Sequence, residues 1–217
     1  MIRFFGFLRK INFLKITAYE LYQAYTKKIN PSKFPCPVCR TKHPDWKKHA
    51  AYERYIISFE NGKSINYLVI IIRYRCDSCG HTHALLPEFL IPYRSYSIFF
   101  ILSVLKDYFS KSLTIEKISE KYGISASTIY TWKALFLKNK KIWLGLLEDS
   151  CITAADFIKA FFNKYIYVLE EFYLESNLSF LQTPRKRINA HSPPQSNYDH
   201  DIYRQSHKTE IHLRNYP

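Results

Sequence analysis

Acidic residues are scarce in this chain. Against 32 Lys and Arg stand 18 Asp and Glu in 217 residues, a formal net charge of +14. Such a surplus argues for a polyanionic partner, nucleic acid before a membrane face. There is no run of eighteen uncharged apolar residues, which excludes an ordinary transmembrane helix. No secretion signal is expected either: in the opening MIRFFGFLRKINFLK the longest uncharged stretch, Phe4 to Leu8, is too short, and no small-residue cleavage site follows. The expected location is therefore the cytoplasm, at the nucleoid for a nucleic-acid binder. Glycine is scarce, five in all, and three of the five, Gly62, Gly80 and Gly123, stand where turns are expected. Cysteine is equally scarce, but four of the five form two C-x-x-C pairs, which in a reducing compartment indicates a metal rather than disulfides.

What is abundant is apolar and basic. Hydrophobic residues make up 47% of the chain and aromatics 17%, enough for one ordinary domain or two small ones. The charge is unevenly distributed. Residues 1–48 carry eleven bases and two acids, residues 49–110 are nearly balanced, 111–141 are again basic, and 142–182 are acidic.

Periodicity divides the chain further. Thr17 with Glu20 reads as a capping box opening a helix over 17–29, which Asn30-Pro31 ends. Tyr52–Phe59 and Ile65–Tyr74 are rich in Tyr, Ile and Val and flank Asn61-Gly62, the strongest short-range signal for a two-residue hairpin. Thr82–Leu86 could add a third strand. From Ser95 the spacing becomes helical: Ile98, Leu102, Leu105 and Phe109 recur every three or four residues. Further helices follow Leu113 and Ser125, and another runs from about Ala154 to Glu175, capped by Thr153 and Asp156. Beyond Gln182 the chain is polar and aperiodic, and disorder is expected there. The fold class expected is α+β, a small antiparallel sheet followed by a helical domain. Its divisions are a basic arm with a helix (1–33), a cysteine-bearing hairpin unit (34–92), a helical unit (93–141), an aromatic-rich helix (142–182) and a tail (183–217).

Each C-x-x-C places two thiolates on one tight turn. Zinc takes four such ligands at tetrahedral corners, and Cys36, Cys39, Cys76 and Cys79 supply four. The predicted hairpin between the pairs can bring its ends together, giving a zinc ribbon with one structural Zn2+. The intervening loop exceeds the usual fifteen to twenty residues. His43, His49, His81 and His83 lie nearby, and any of them could replace a cysteine. A redox pair is the competing reading, but that motif needs one pair beside a βαβ unit. Four thiolates leave no open position for water, so the ion would serve structure and not Lewis-acid catalysis. Cys151 has no partner.

The stretch TIEKISEKYGISASTIYTWKALF, Thr114 to Phe136, has the spacing of a helix-turn-helix. Ile115 and Ile118 face inward on the first helix, Gly123 makes the turn, Ile124 plugs it, Ser125 caps the second helix, and Ile129 and Trp132 face inward again. The outward residues of the second helix then include Ser125, Ser127, Thr128, Tyr130, Thr131 and Lys133, the candidate DNA contacts. Hydroxyls near a helix N-terminus suit phosphates, and Tyr130, Thr131 and Lys133 can reach further into a groove. No Arg or Asn is poised for bidentate base reading, so strong sequence discrimination by this helix alone is not expected.

In order, CPVC, RYRCDSCGHTHALLP, an apolar helix and then this helix pair resemble the N-terminal half of insertion-sequence transposases, which place a zinc ribbon before a helix-turn-helix. They also resemble a bacterial family, common in Firmicutes, that carries only this part. The similarity covers roughly residues 34–137. It implies double-stranded DNA binding and an association with mobile elements, with Cys36, Cys39, Cys76 and Cys79 as the matching ligands and 125–133 as the matching reading helix. The chain departs from the transposase pattern after Phe136. The nuclease domain of such enzymes needs three spaced acids on a sheet, whereas Asp149, Asp156, Glu170, Glu171 and Glu175 lie in or beside a helix. A non-enzymatic DNA-binding protein is expected, with no small-molecule substrate. The alternatives are a transposase subunit with nuclease activity and a zinc-ribbon adaptor for another protein.

Ile158, Phe161, Tyr165, Val168 and Phe172 form a two-heptad seam, widened by Phe157, Phe162, Ile166 and Leu169. It must bury against the helical unit or against a second chain, giving a homodimer through 154–175. The basic arm (Arg3, Arg9, Lys10, Lys15, Lys27, Lys28) and the PRKRI cluster from Pro184 could add phosphate contacts.

Overall fold

The computed structural model describes residues 2–4, 17–139, 153–161, 167–176 and 178–182, all within the first of two compact units, Met1–Thr183. The Asn61-Gly62 turn organises the sheet. Both residues take positive φ, 51° and 78°, as the primed two-residue turn requires. That closure sets Glu60 opposite Lys63 and runs β2 (Trp46–Glu60) against β3 (Lys63–Cys76) as far as Trp46 opposite Cys76. Both strands are longer than expected from sequence. Residues 47–53 of β2 are all exposed, so burial does not hold them extended; the register propagated from the turn does. His49 is the extra residue of an irregularity between Lys48 and Ala50.

The third strand, β4 (Thr82–Pro87), pairs antiparallel to Arg73–Arg75 of β3. At Leu85–Pro87 its other side takes the short β1 (Ile2–Phe4) in parallel, giving the order β1-β4-β3-β2. The expected α+β class is therefore present, with three antiparallel strands and six α-helices among the described residues.

The first helix, α1 (Ala18–Lys28), opens on the capping box read from sequence. The Thr17 amide donates to Glu20 Oε2 at 2.8 Å and the Glu20 amide to Thr17 Oγ1 at 3.1 Å. Its buried residues Leu21, Tyr22 and Tyr25 lie over the hairpin. The Tyr22 hydroxyl donates to the Ile70 carbonyl at 2.8 Å, and Tyr19 stacks on Tyr67 with ring centroids 5.3 Å apart. The arm thus ends in a helix docked on the sheet, with Lys27 and Lys28 left exposed.

Beyond β4, Phe89, Leu90 and Ile91 are fully buried, and Ile57 of β2 exchanges backbone bonds with Ser95 and Ser97 at 2.9 and 3.2 Å. The helical layer starts there. α2 (Ile98–Phe109) is capped by Ser97 and buries Ile98, Phe100, Ile101, Leu102, Val104 and Leu105. α3 (Ile115–Tyr122) and α4 (Ala126–Lys138) pack on it. Asp107 of α2 accepts from Lys121 Nζ at 2.7 Å and from the Tyr122 hydroxyl at 2.9 Å, fastening α3.

The helix expected over 154–175 is two elements among the described residues, α5 (Ala154–Ala160) and α6 (Val168–Ser176), with Tyr167 in a turn before the second. The described seam residues Ile158, Phe161, Val168 and Phe172 are buried in the same core. Phe136 of α4 meets Phe157 at 5.9 Å and Phe180 at 6.2 Å. One apolar cluster runs from Ala18 to Leu181. Among the described residues no helix is long and apolar enough to cross a membrane. Cys151, the tail with its PRKRI cluster, and the basic residues Arg9, Lys10 and Lys15 lie outside the described residues.

Candidate metal centre and the adjoining helix pair

The two cysteine pairs, thirty-seven residues or more apart in sequence, meet at the open end of the hairpin. The sulfurs of Cys36, Cys39, Cys76 and Cys79 all lie within 4.8 Å of one another. Cys36 Sγ is 3.6 Å from Cys79 Sγ, and Cys39 Sγ is 3.8 Å from Cys76 Sγ. These separations are too long for disulfides. A tetrahedron with zinc–sulfur bonds of about 2.3 Å has sulfur–sulfur edges of about 3.8 Å, so the four donors fit such an ion.

The pairs sit on twin turns. The Cys36 amide donates to the Thr41 carbonyl at 3.0 Å and the Arg40 amide to the Cys36 carbonyl at 2.9 Å. In the second turn the Cys76 amide donates to the His81 carbonyl and the Gly80 amide to the Cys76 carbonyl, both at 2.9 Å. The fifth residue has positive φ in each, 73° at Gly80 and 62° at Arg40. Glycine takes that conformation without steric cost; arginine does not.

Electrostatics agrees with the donor set. The Thr41 hydroxyl lies 3.2 Å from Cys39 Sγ, and the hydroxyl and amide of Thr41 hold that thiol down to about 6. The His81 amide draws Cys79 down too, but burial and the three neighbouring thiols outweigh it and push Cys79 up to about 12. Four thiols this close cannot all ionise by themselves, and a bound dication removes that conflict.

The histidines separate clearly. His83 is buried, with Nε2 3.7 Å from Cys36 Sγ and its ring edge-on to Trp46 at 5.6 Å. Burial depresses it to about 4, so it stands neutral behind Cys36. His43 Nδ1 lies 3.0 Å from the Ser32 carbonyl, and His81 Nδ1 lies 3.2 Å from the Cys79 carbonyl. His49 is exposed in the β2 irregularity. Among the described residues, the cluster able to hold an ion comprises the four cysteines.

The far end of the hairpin carries the helix pair. Ser64, beside the turn, donates to the Tyr122 carbonyl at 2.7 Å, and Phe59 packs on the Tyr122 ring at 4.4 Å. Gly123 ends α3 in the left-handed conformation, φ 64° and ψ 39°. The Ile124 amide donates back to the Ser119 carbonyl at 3.1 Å, and Ile124 is buried as the plug. Ser125 caps α4, accepting from the Thr128 amide at 3.3 Å. Ile118, Ile129, Trp132 and Phe136 point into the core.

Of the candidate contacts, Ser125, Ser127, Tyr130 and Thr131 are exposed and Thr128 and Lys133 half-buried, and they are unequally free. Ser125 Oγ meets Ser127 Oγ and Thr128 Oγ1, each at 2.9 Å, and Thr131 Oγ1 donates to the Ser127 carbonyl at 2.8 Å. Those hydroxyls are already engaged within the helix start. Tyr130 is exposed, edge-on to Tyr108 of α2 at 6.4 Å, and Lys133 Nζ lies over the same Tyr108 ring at 5.0 Å. Sequence reasoning missed Tyr108, and it missed Thr41, Trp46 and Phe34 around the thiols. Trp46 Nε1 donates to the Phe34 carbonyl at 3.2 Å. None of these residues carries a motif, because their roles arise from partners distant in sequence.

Residues 36–132 match a family model described as a domain of unknown function, DUF6431. The matched segment begins on the first thiol and ends on the buried Trp132, so it spans the four-cysteine cluster, strands β2 to β4, α2, α3 and the first half of α4. No curated protein and no solved structure matches the chain.

Proposed function

We propose that this protein binds duplex DNA through a helix-turn-helix, α3 and α4 on α2, presented by a zinc ribbon, and that it belongs to the mobile-element setting its sequence resembles. The observation supporting the reading most directly is the α3–Gly123–α4 unit. Its turn glycine is left-handed, its plug and inner faces are buried, and Ser125, Ser127, Tyr130 and Thr131 are exposed at and just beyond the start of α4. Such a helix enters the major groove N-terminus first, where free amides and hydroxyls meet phosphates.

With the Ser125, Thr128 and Thr131 hydroxyls engaged locally, Tyr130 and Lys133 are the side chains that reach furthest. Lys133 must leave the Tyr108 ring to do so, giving up a half-buried cation–π contact of about 0.5–1 kcal/mol or somewhat more. Neither residue is an arginine or asparagine poised for bidentate base reading, so strong sequence discrimination by this helix alone is not expected. The zinc holds the open end of the hairpin and takes no part in chemistry. No catalytic step is assigned to the chain.

The double substitution Tyr130→Ala with Lys133→Ala should weaken binding to a duplex by about tenfold or more at moderate salt. Unchanged affinity would refute the groove assignment. Incubation with supercoiled plasmid and magnesium or manganese should leave the plasmid intact; metal-dependent nicking would favour a transposase subunit instead.

A further inference from the structure

The hairpin brings together positive charges that lie far apart in the sequence. Residues 49–110 are nearly balanced, yet the register sets Lys47 directly opposite Arg75, with Arg73 on the same face one pair further on, opposite Ala50. All three are exposed, on the face opposite the buried Trp46, Tyr74 and Cys76. Like charges placed directly across a ladder repel and weaken the pairing. Among the described residues none of the three is paired with an acid. The two arginines are held in place: Arg73 Nη2 donates to Thr82 Oγ1 at 2.5 Å, and the Arg75 guanidinium lies over the second cysteine turn, 3.5 Å from where a Cβ on Gly80 would stand. An uncompensated, positioned cationic cluster on a sheet face fits the phosphates of a nucleic-acid backbone.

Its distance from the helix pair is informative. Ser64 bonds the residue just before the Gly123 turn, and Arg73 and Arg75 lie nine and eleven residues along β3 from Ser64. At a rise of about 3.3 Å per residue this is roughly 30–36 Å. One turn of B-DNA is about 34–36 Å.

Resting on the helix-turn-helix reading above, we propose that Lys47, Arg73 and Arg75 form a second DNA contact, gripping backbone phosphates about one helical turn from the groove that receives α4. The metal end of the ribbon then serves as a clamp as well as a brace, and a single chain spans more DNA than one recognition helix covers.

The test compares two ligands, a 24-base-pair duplex and a 10-base-pair stem closed by a loop, which is too short to reach both contacts. Each phosphate contact contributes about 0.9 to the slope of log affinity against log salt. Lys47→Gln/Arg73→Gln/Arg75→Gln should lower that slope by about 2–3 on the long duplex and by less than about 1 on the short stem. If the triple variant does not fold, as judged by thermal unfolding, Lys47→Gln alone should remove about one unit on the long duplex only; its side chain makes no hydrogen bond among the described residues. An unchanged slope on the long duplex, or equal losses on both ligands, overturns the second contact. Failure of the α4 reading is told apart by Tyr130→Ala/Lys133→Ala on the short stem. If that variant binds like wild type while the triple variant binds weakly, the ribbon alone holds DNA, and the spaced arrangement falls with the groove assignment.

Discussion

Removing the ion should unfold the two cysteine turns and leave the far end of the hairpin folded. The turns span residues 36–41 and 76–81, twelve residues in all. Ordering them costs about 18 kcal/mol at roughly 1.5 kcal/mol per residue. Burying Trp46 and Tyr74 beside them contributes about 5–6 kcal/mol, and their four backbone hydrogen bonds contribute about 4 kcal/mol net. The shortfall, about 8 kcal/mol, is smaller than the 10–16 kcal/mol apparent for structural zinc in small domains. On these figures the turns should stand only with an ion bound. The other end does not depend on it, because Ser64, Phe59 and Ile57 are tied to the helical layer. Hydrogen exchange followed by mass spectrometry, before and after chelation, reads the difference. Amides over 36–48 and 73–84 should lose protection by about 10³-fold or more, the equivalent of some 4 kcal/mol. Amides of Ile57, Val69, Ile101 and Ile129 should change by less than about threefold. Cysteine turns that stay fully protected in verified metal-free protein would refute the reasoning.

Cys36→Ser or Cys76→Ser should lower bound metal from one ion per chain to well below one, whereas Cys151→Ser should leave it at one; elemental analysis after dialysis distinguishes them. Arg40→Gly should raise the thermal midpoint by the equivalent of about 0.5–1 kcal/mol, since it relieves a left-handed φ of 62° in a turn where the twin position carries Gly80. Trp132→Ala should cost about 3–5 kcal/mol in denaturant unfolding, because that ring is buried with Tyr96 at 5.0 Å and Phe100 at 6.1 Å. A cost below about 1 kcal/mol would deny the three-helix core its central residue.

Local signals carried far in this chain because each has a nearby physical cause. Asn61-Gly62 adopts the positive φ pair that its composition favours. Thr17 with Glu20 closes both hydrogen bonds of the box, and Ser125 caps α4 as its position implies. The two C-x-x-C turns predicted their own convergence, since a hairpin returns its ends to one place. Long-range pairing was invisible. Lys47 to Ala51 shows no alternation, yet those residues continue β2 apart from the irregularity at His49, because the register is imposed from the turn. Ile2–Phe4 has nothing to mark it as a parallel edge for β4. The α1 helix read as part of a basic arm, while its Tyr22 and Tyr25 face is what docks it. Counting charge by segment hid the Lys47–Arg75 pair, which only the ladder brings together. The seam over 154–175 was legible as apolar, but the turn at Tyr167 before the second described helix was not, since the heptad spacing steps over it from Tyr165 to Val168.

Anisotropy titration of a labelled 24-base-pair duplex with metal-loaded protein, repeated over a series of salt concentrations, tests the central claim most directly. The account expects saturable binding with a dissociation constant of about 1–100 μM near physiological salt, weakening steeply as salt rises. Protein that is folded, carries one ion per chain and still ignores the duplex at every salt concentration would contradict it.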